Sequence, residues 1–251
     1  MALSTPISFQ FYFQAVIMLL AARAMATPPA TQPATTAPAG PWGVRQILVG
    51  NVDQPHVLCI GDSILGGYHS PLAERLRGKA SLDIWVTPRT IADKSLPTTM
   101  KEIFAGHPYD VIVFNDIGLH AWQPGRIPEG QYEPLLRAHV ANLRRLAPAA
   151  KLIFATTTPM TSKTRPITIN DEFNPVIVQR NDIATKVMEE NQIPVADFYH
   201  LVVDHLDLAA GDGFHWKNPA YVSLSELAAD KIWQVLGVTP ATTRPAPAPA
   251  K

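Results

Sequence analysis

Apolar residues in this chain gather in short unbroken runs, separated by longer stretches in which they recur at every third or fourth position. The runs are residues 57–60, 82–86, 111–115, 152–156 and 195–198. Runs this short, rich in Val and Ile, predict strands buried on both faces. Between them the pattern changes. Residues 72–76, then Tyr132, Leu135, Leu136, His139, Val140, Leu143 and Leu146, then residues 178–188, and finally Leu224, Leu227, Ala228, Ile232 and Leu236 follow a helical repeat. Strands alternating with helices argue a parallel sheet covered on both faces. In such sheets ligands gather beyond the carboxyl ends of the strands.

The flanks lack this pattern. Residues 1–26 hold an apolar stretch around Phe11 to Ala22 ending in Ala24-Met25-Ala26, a small-x-small pattern that reads as the cleavage site of a signal peptide. Its n-region has no Lys or Arg before Arg23, so a retained N-terminal anchor is the alternative. The apolar core is short for a transmembrane helix, and no span follows it. The expected location is therefore outside the cytoplasm, periplasmic or extracellular. Residues 27–41 and 239–251 are Pro-, Ala- and Thr-rich and read as a disordered linker and a disordered tail around a folded domain at 42–238.

Composition narrows the function classes. Among 251 residues, 47% are hydrophobic, and 21 basic side chains balance 21 acidic ones, which suits one domain with a sizeable core. Without a basic run there is no electrostatic footprint for nucleic acid. The single cysteine, Cys59, excludes an internal disulfide and reads as a small buried hydrophobe.

Candidate chemistry begins where the first run ends, at Gly61-Asp62-Ser63. A tight turn there throws the Ser63 hydroxyl out at a helix N-terminus, whose unpaired N–H groups and positive dipole end favour a nearby oxyanion. Alone, the tripeptide equally describes a helix cap formed by Asp62 or Ser63. A second stretch, Gly211-Asp212-Gly213-Phe214-His215-Trp216, supplies what a serine nucleophile lacks. His215 is a base to take the hydroxyl proton, and Asp212 is a carboxylate to hold the other ring nitrogen.

Gly61-Asp62-Ser63-Ile64 followed by a late Asp212-x-x-His215 resembles the SGNH, or GDSL, family of serine esterases and lipases. Tyr109-Asp110-Val111-Ile112-Val113-Phe114-Asn115 leading to Gly118-Leu119-His120 is similar to the family's third block, and Ala155-Thr156-Thr157-Thr158-Pro159 to its fourth strand and turn. The resemblance covers about residues 55–237. It implies a three-layer α/β/α sandwich with a five-stranded parallel sheet, flavodoxin-like in arrangement. The implied activity is ester hydrolysis by Ser63, His215 and Asp212 through an acyl-serine, with no metal or organic cofactor. The family's oxyanion donors map onto the Ser63 N–H, a second-block N–H, and a third-block side chain. The second block lacks its usual glycine here, leaving Ala92 or a neighbour as donor. The third-block position reads His120, with Asn115 as the alternative.

Tyr68, Trp122 and Trp216 are candidates to line a substrate pocket, or else edges of the core. Arg89 and Lys94 either face substrate or are solvated, and Asp62 reads as a structural turn residue. Asp204, His205 and Asp207, with Asp212 and His215, also offer enough ligands for a metal, a reading that leaves Ser63 without a role. The expected partner is a small-molecule or carbohydrate ester, with acetyl on a carbohydrate preferred. The alternatives are a lysophospholipase- or lipase-type acylhydrolase, and a non-catalytic carbohydrate-binding protein on the same scaffold.

Overall fold

The computed structural model describes residues 43–105, 108–115, 127–128 and 130–238. The elements run β1 (Arg45–Leu48), β2 (His56–Gly61), α1 (Ser63–Leu76), β3 (Ser81–Val86), α2 (Leu96–Phe104), β4 (Val111–Phe114), α3 (Tyr132–Leu146), β5 (Lys151–Ala155), α4 (Asn174–Glu190), β6 (Val195–Ala196), α5 (Phe198–Val202) and α6 (Asn218–Leu236). They form one sheet of order β1-β3-β2-β4-β5-β6.

All five expected runs are strands, and they are parallel to one another. Among the described residues the sheet nevertheless has six strands, not five, because β1 joins its edge antiparallel to β3. Arg45-Gln46-Ile47-Leu48 escapes a search for apolar runs because an edge strand with one neighbour needs no continuous apolar sequence. The last run is shorter than its pattern implies. Asp197 accepts the His200 N–H at 3.1 Å, and this cap opens α5 where the strand would have continued.

Alternate residues of each strand serve opposite faces. Val57 and Cys59 join α1 and α6 in one core, while Leu58 and Ile60 join α2, α3 and α4 in the other. The result is three layers. Leu58, Leu72, Ile112, Phe114 and Phe154 are wholly buried, each burial worth about 1.5–3 kcal/mol. On α3 the expected apolar positions face the sheet, and Glu133 pairs with Arg137 on its outer side at 2.7 Å.

The chain builds outward from β2 in both directions, to β3 on one side and to β4, β5 and β6 on the other. This reversal between β2 and β4 opens a crevice at their carboxyl ends. Ser63 follows β2 there, and Asn115 follows β4.

Candidate active site

Asp62 shapes the turn after β2. Its backbone is extended, and its Oδ1 accepts the Ile64 N–H at 2.8 Å, capping α1. The turn is also tied to the sheet, because the Gly61 carbonyl accepts the Thr87 N–H at 2.9 Å. Asp62 is thus the cap and Ser63 the first helical residue. The Ser63 N–H lies in the first turn, where helix geometry provides no acceptor.

The second half of the site comes from the loop before α6. Asp212 Oδ1 accepts two N–H groups, from Phe214 at 3.0 Å and His215 at 2.9 Å. Its Oδ2 lies 2.6 Å from His215 Nδ1. One carboxylate therefore sets both the fold of the loop and the orientation of the imidazole. Gly211 and Gly213 have φ of +94° and +96°, values that side chains rarely tolerate. Outside the loop, Thr161 donates its N–H to Gly213 O at 3.0 Å, and Ala210 donates to His215 O at 2.8 Å. The Lys163 ammonium lies 5.6 Å from the centre of the Phe214 ring, beside His215.

The two halves meet across 152 positions of sequence, where His215 Nε2 lies 2.9 Å from Ser63 Oγ. With the ring proton on Nδ1 given to Asp212, Nε2 presents a lone pair to the serine hydroxyl. Burial works to raise the pKa of Asp212, but the N–H groups of His215 and Phe214 and the His215 ring outweigh it and hold the carboxyl at about 2. Asp212 is thus an anion at any ordinary pH.

A second Asp-x-x-His sits nearby. Asp197 accepts the His200 N–H at 3.1 Å and its Oδ2 lies 2.7 Å from His200 Nδ1. The local geometry is the same, but the hydroxyl beside it, Thr156 Oγ1, donates to Asp197 at 3.2 Å rather than facing the imidazole. The spacing alone makes an Asp–His pair. Only the Asp212 pair is set against a serine.

The remaining expectations divide. Asn115 stands at the end of β4 and, with Asp62, Ile64, Tyr68 and Thr156, lines a small pocket beside the Ser63 turn. His120 and Trp122 lie outside the described residues. The Ala92 N–H is given to Thr90 Oγ1 at 3.2 Å within its own turn. Tyr68 and Trp216 are both buried, the other reading the sequence allowed for them, although Tyr68 also lines the pocket beside the Ser63 turn. They are 4% and 3% exposed, Tyr68 on the inner face of α1 packed edge-on against Phe198 and Trp216 in the α1–α6 core, where their large apolar rings leave water. Among the described residues no three His, Cys, Asp or Glu side chains converge as a metal site would require, so Asp204, His205 and Asp207 do not complete one there. Sequence reasoning missed the support that Thr161 gives the loop. A backbone hydrogen bond from a segment fifty positions away leaves no residue-type signal.

No protein-family model matches the chain, and no curated protein matches its sequence. Solved structures do match. A carbohydrate acetylesterase from Sinorhizobium meliloti superposes with a TM-score of 0.57 at 15% identity, covering 72% of this chain and 100% of that one. An acetylxylan esterase from Geobacillus stearothermophilus gives 0.54 at 16%, covering 76% and 97%. A proposed SGNH hydrolase from Slackia heliotrinireducens gives 0.54 at 15%, covering 72% and 100%. At such identities the likeness is one of fold.

Proposed function

We propose that this chain, which has the fold of the SGNH hydrolases, is an exported serine esterase that removes short acyl groups, acetyl foremost, from a carbohydrate. The observation that carries the reading is the hydrogen-bonded line from Ser63 Oγ through His215 to Asp212, at 2.9 and 2.6 Å.

Each residue has a role in this reading. Ser63 Oγ attacks the ester carbonyl carbon as His215 Nε2 takes the hydroxyl proton, and the carbonyl π electrons move onto oxygen. Asp212 holds the tautomer and balances the imidazolium. The oxyanion is held by the Ser63 N–H and by Asn115 or His120. Collapse of the tetrahedral adduct breaks the bond to the alcohol, which leaves with the proton from His215. Water, activated by the same imidazole, attacks the acyl-serine in turn. The carboxylic acid departs and Ser63 regains its proton. Losing one oxyanion donor would cost about 2.7–4 kcal/mol of transition-state stabilisation, a matter of rate rather than reaction type.

The names of the acetylesterases sharing the fold favour the acetyl group and the carbohydrate. Export rests on the signal-like residues 1–26. Among the described residues no helix is long and apolar enough to cross a membrane.

The test is hydrolysis of p-nitrophenyl acetate, p-nitrophenyl octanoate and an acetylated xylo-oligosaccharide by the protein beside Ser63→Ala and His215→Ala. Acetate release that disappears in both variants supports the reading. Turnover that survives Ser63→Ala, or a preference for octanoate, would overturn the mechanism or the acyl preference respectively.

A further inference from the structure

The helix that begins with Ser63 is poorly made one turn further on. Gly66 and Gly67 are weak helix formers, and Pro71 has no N–H to give to the Gly67 carbonyl. Gly66 meets nothing within 4 Å of where a Cβ would stand, so space does not require it. Gly67 is different. A Cβ there would lie 2.2 Å from Cζ of Tyr221 and 2.3 Å from its Cε1, closer than atoms can approach. The ring of Tyr221, on α6, occupies the place of the missing side chain.

Ser63 and Gly67 are four residues apart and so lie on the same face of α1. The ring therefore seats one turn below the serine. The Tyr221 hydroxyl reaches the other half of the site, accepting the N–H of Trp216 at 3.4 Å, and Trp216 directly follows His215. Burial, and then the charges of Asp212 and Asp62, raise the phenol's pKa against the lowering effect of the Trp216 N–H, consistent with a hydroxyl standing between the two halves. Further down the same helix pair, Arg75 donates to Ser225 at 3.1 Å and pairs with Glu226. That contact joins the two helices at their surface, over the apolar packing of Leu72 and Leu76 with Leu224 and Ala228.

We infer that Tyr221 is a positioning residue that sets the separation of Ser63 from His215, and that Gly67 is the seat its ring requires. This rests on the serine-esterase reading for its catalytic consequence, but its geometric content stands apart. A larger residue at 67 pushes Tyr221, and with it the start of α6 and the Trp216 end of the loop, away from the serine helix. A smaller residue at 221 leaves a gap into which the two can shift. A displacement of about 1 Å at reacting groups can cost about 100-fold in rate.

The experiment compares Gly67→Ala, Tyr221→Leu, Tyr221→Phe and the double variant Gly67→Ala/Tyr221→Leu. It reads kcat and KM for p-nitrophenyl acetate, the thermal midpoint, and the crystal structure of each folded variant. Gly67→Ala and Tyr221→Leu should each lose about 100-fold in kcat with little change in KM. Tyr221→Phe, which keeps the ring, should lose less. The double variant, with room restored, should recover much of the Gly67→Ala loss. In the Gly67→Ala crystal the Ser63 Oγ to His215 Nε2 separation should exceed hydrogen-bonding reach. The inference is overturned if that separation stays near 2.9 Å, or if the double variant is no better than the worse single one. Should Gly67→Ala fail to fold, Tyr221→Leu decides: a kcat near that of the wild type, or a Ser63 Oγ to His215 Nε2 separation still near 2.9 Å, overturns the inference. A wild-type protein inert toward every ester would remove the esterase reading, while the crystal distances would still decide the geometric one.

Discussion

Buried His139 predicts a specific acid sensitivity. It lies on α3, wholly inside the core on the α2–α4 side of the sheet, its ring 5.7 Å from that of Phe114, and its Nε2 has no hydrogen-bond partner among the described residues. Burial pushes its pKa down from the ordinary 6.5 to about 4. In the unfolded chain the imidazole takes a proton near pH 6.5; in the folded protein it does so only near pH 4. Between those values the unfolded state binds more protons, so folding stability falls as pH falls. Over the whole window the loss attributable to this one residue is about 3 kcal/mol. The comparison that isolates it is His139→Leu, a change of similar volume that should alter stability at neutral pH by under about 1.5 kcal/mol. Urea denaturation of both proteins, followed by Trp fluorescence at several pH values from about 4 to about 8, gives two stability curves. They should run parallel above pH 6.5 and then diverge in favour of the variant by about 3 kcal/mol toward pH 4. Curves that remain parallel throughout would refute the reasoning, since His139 would then titrate alike in both states.

Further outcomes follow from the site and its supports. Asp212→Asn should lower kcat by about 10³–10⁴-fold, since an amide presented to Nδ1 no longer selects the tautomer, with ester turnover as the assay. Because the Asp212 carboxyl sits at about 2, its hold on the Phe214 and His215 N–H groups should survive at pH 4 and fail only as pH falls toward 2, read from those two amide chemical shifts. Asn181 accepts the Thr157 N–H at 3.0 Å and donates to the Thr157 carbonyl at 2.9 Å, both buried; Asn181→Ala should therefore cost about 2–5 kcal/mol in a denaturant titration. Asp62→Ala removes the α1 cap and should cost about 1 kcal/mol, measured the same way.

The legible parts of this protein are those governed by neighbours in sequence. Five strands showed as apolar runs because each is buried on both faces, a condition imposed on every one of its residues. The Asp212–His215 pair was legible for the same reason, as an Asp three positions before a His can accept its N–H and hold its ring without outside help. Asp197 and His200 do this too, which is why the spacing could not by itself mark a site. The edge strand Arg45–Leu48 was hidden by its single neighbour, and the five-residue helix α5 by having too few turns to show a period.

Pattern and spacing thus determined the layers, the strand ends at which chemistry would gather, and both halves of the site as separate local motifs. Tertiary structure decided which Asp–His pair faces a serine, that Tyr68 and Trp216 turn inward, and why a glycine stands in the serine helix opposite Tyr221. Backbone periodicity and hydrogen bonding act over a few residues and leave their mark in the sequence. The 2.9 Å approach of Ser63 to His215 depends on how α6 packs against α1, and that is settled only when side chains distant in the chain compete for the same space.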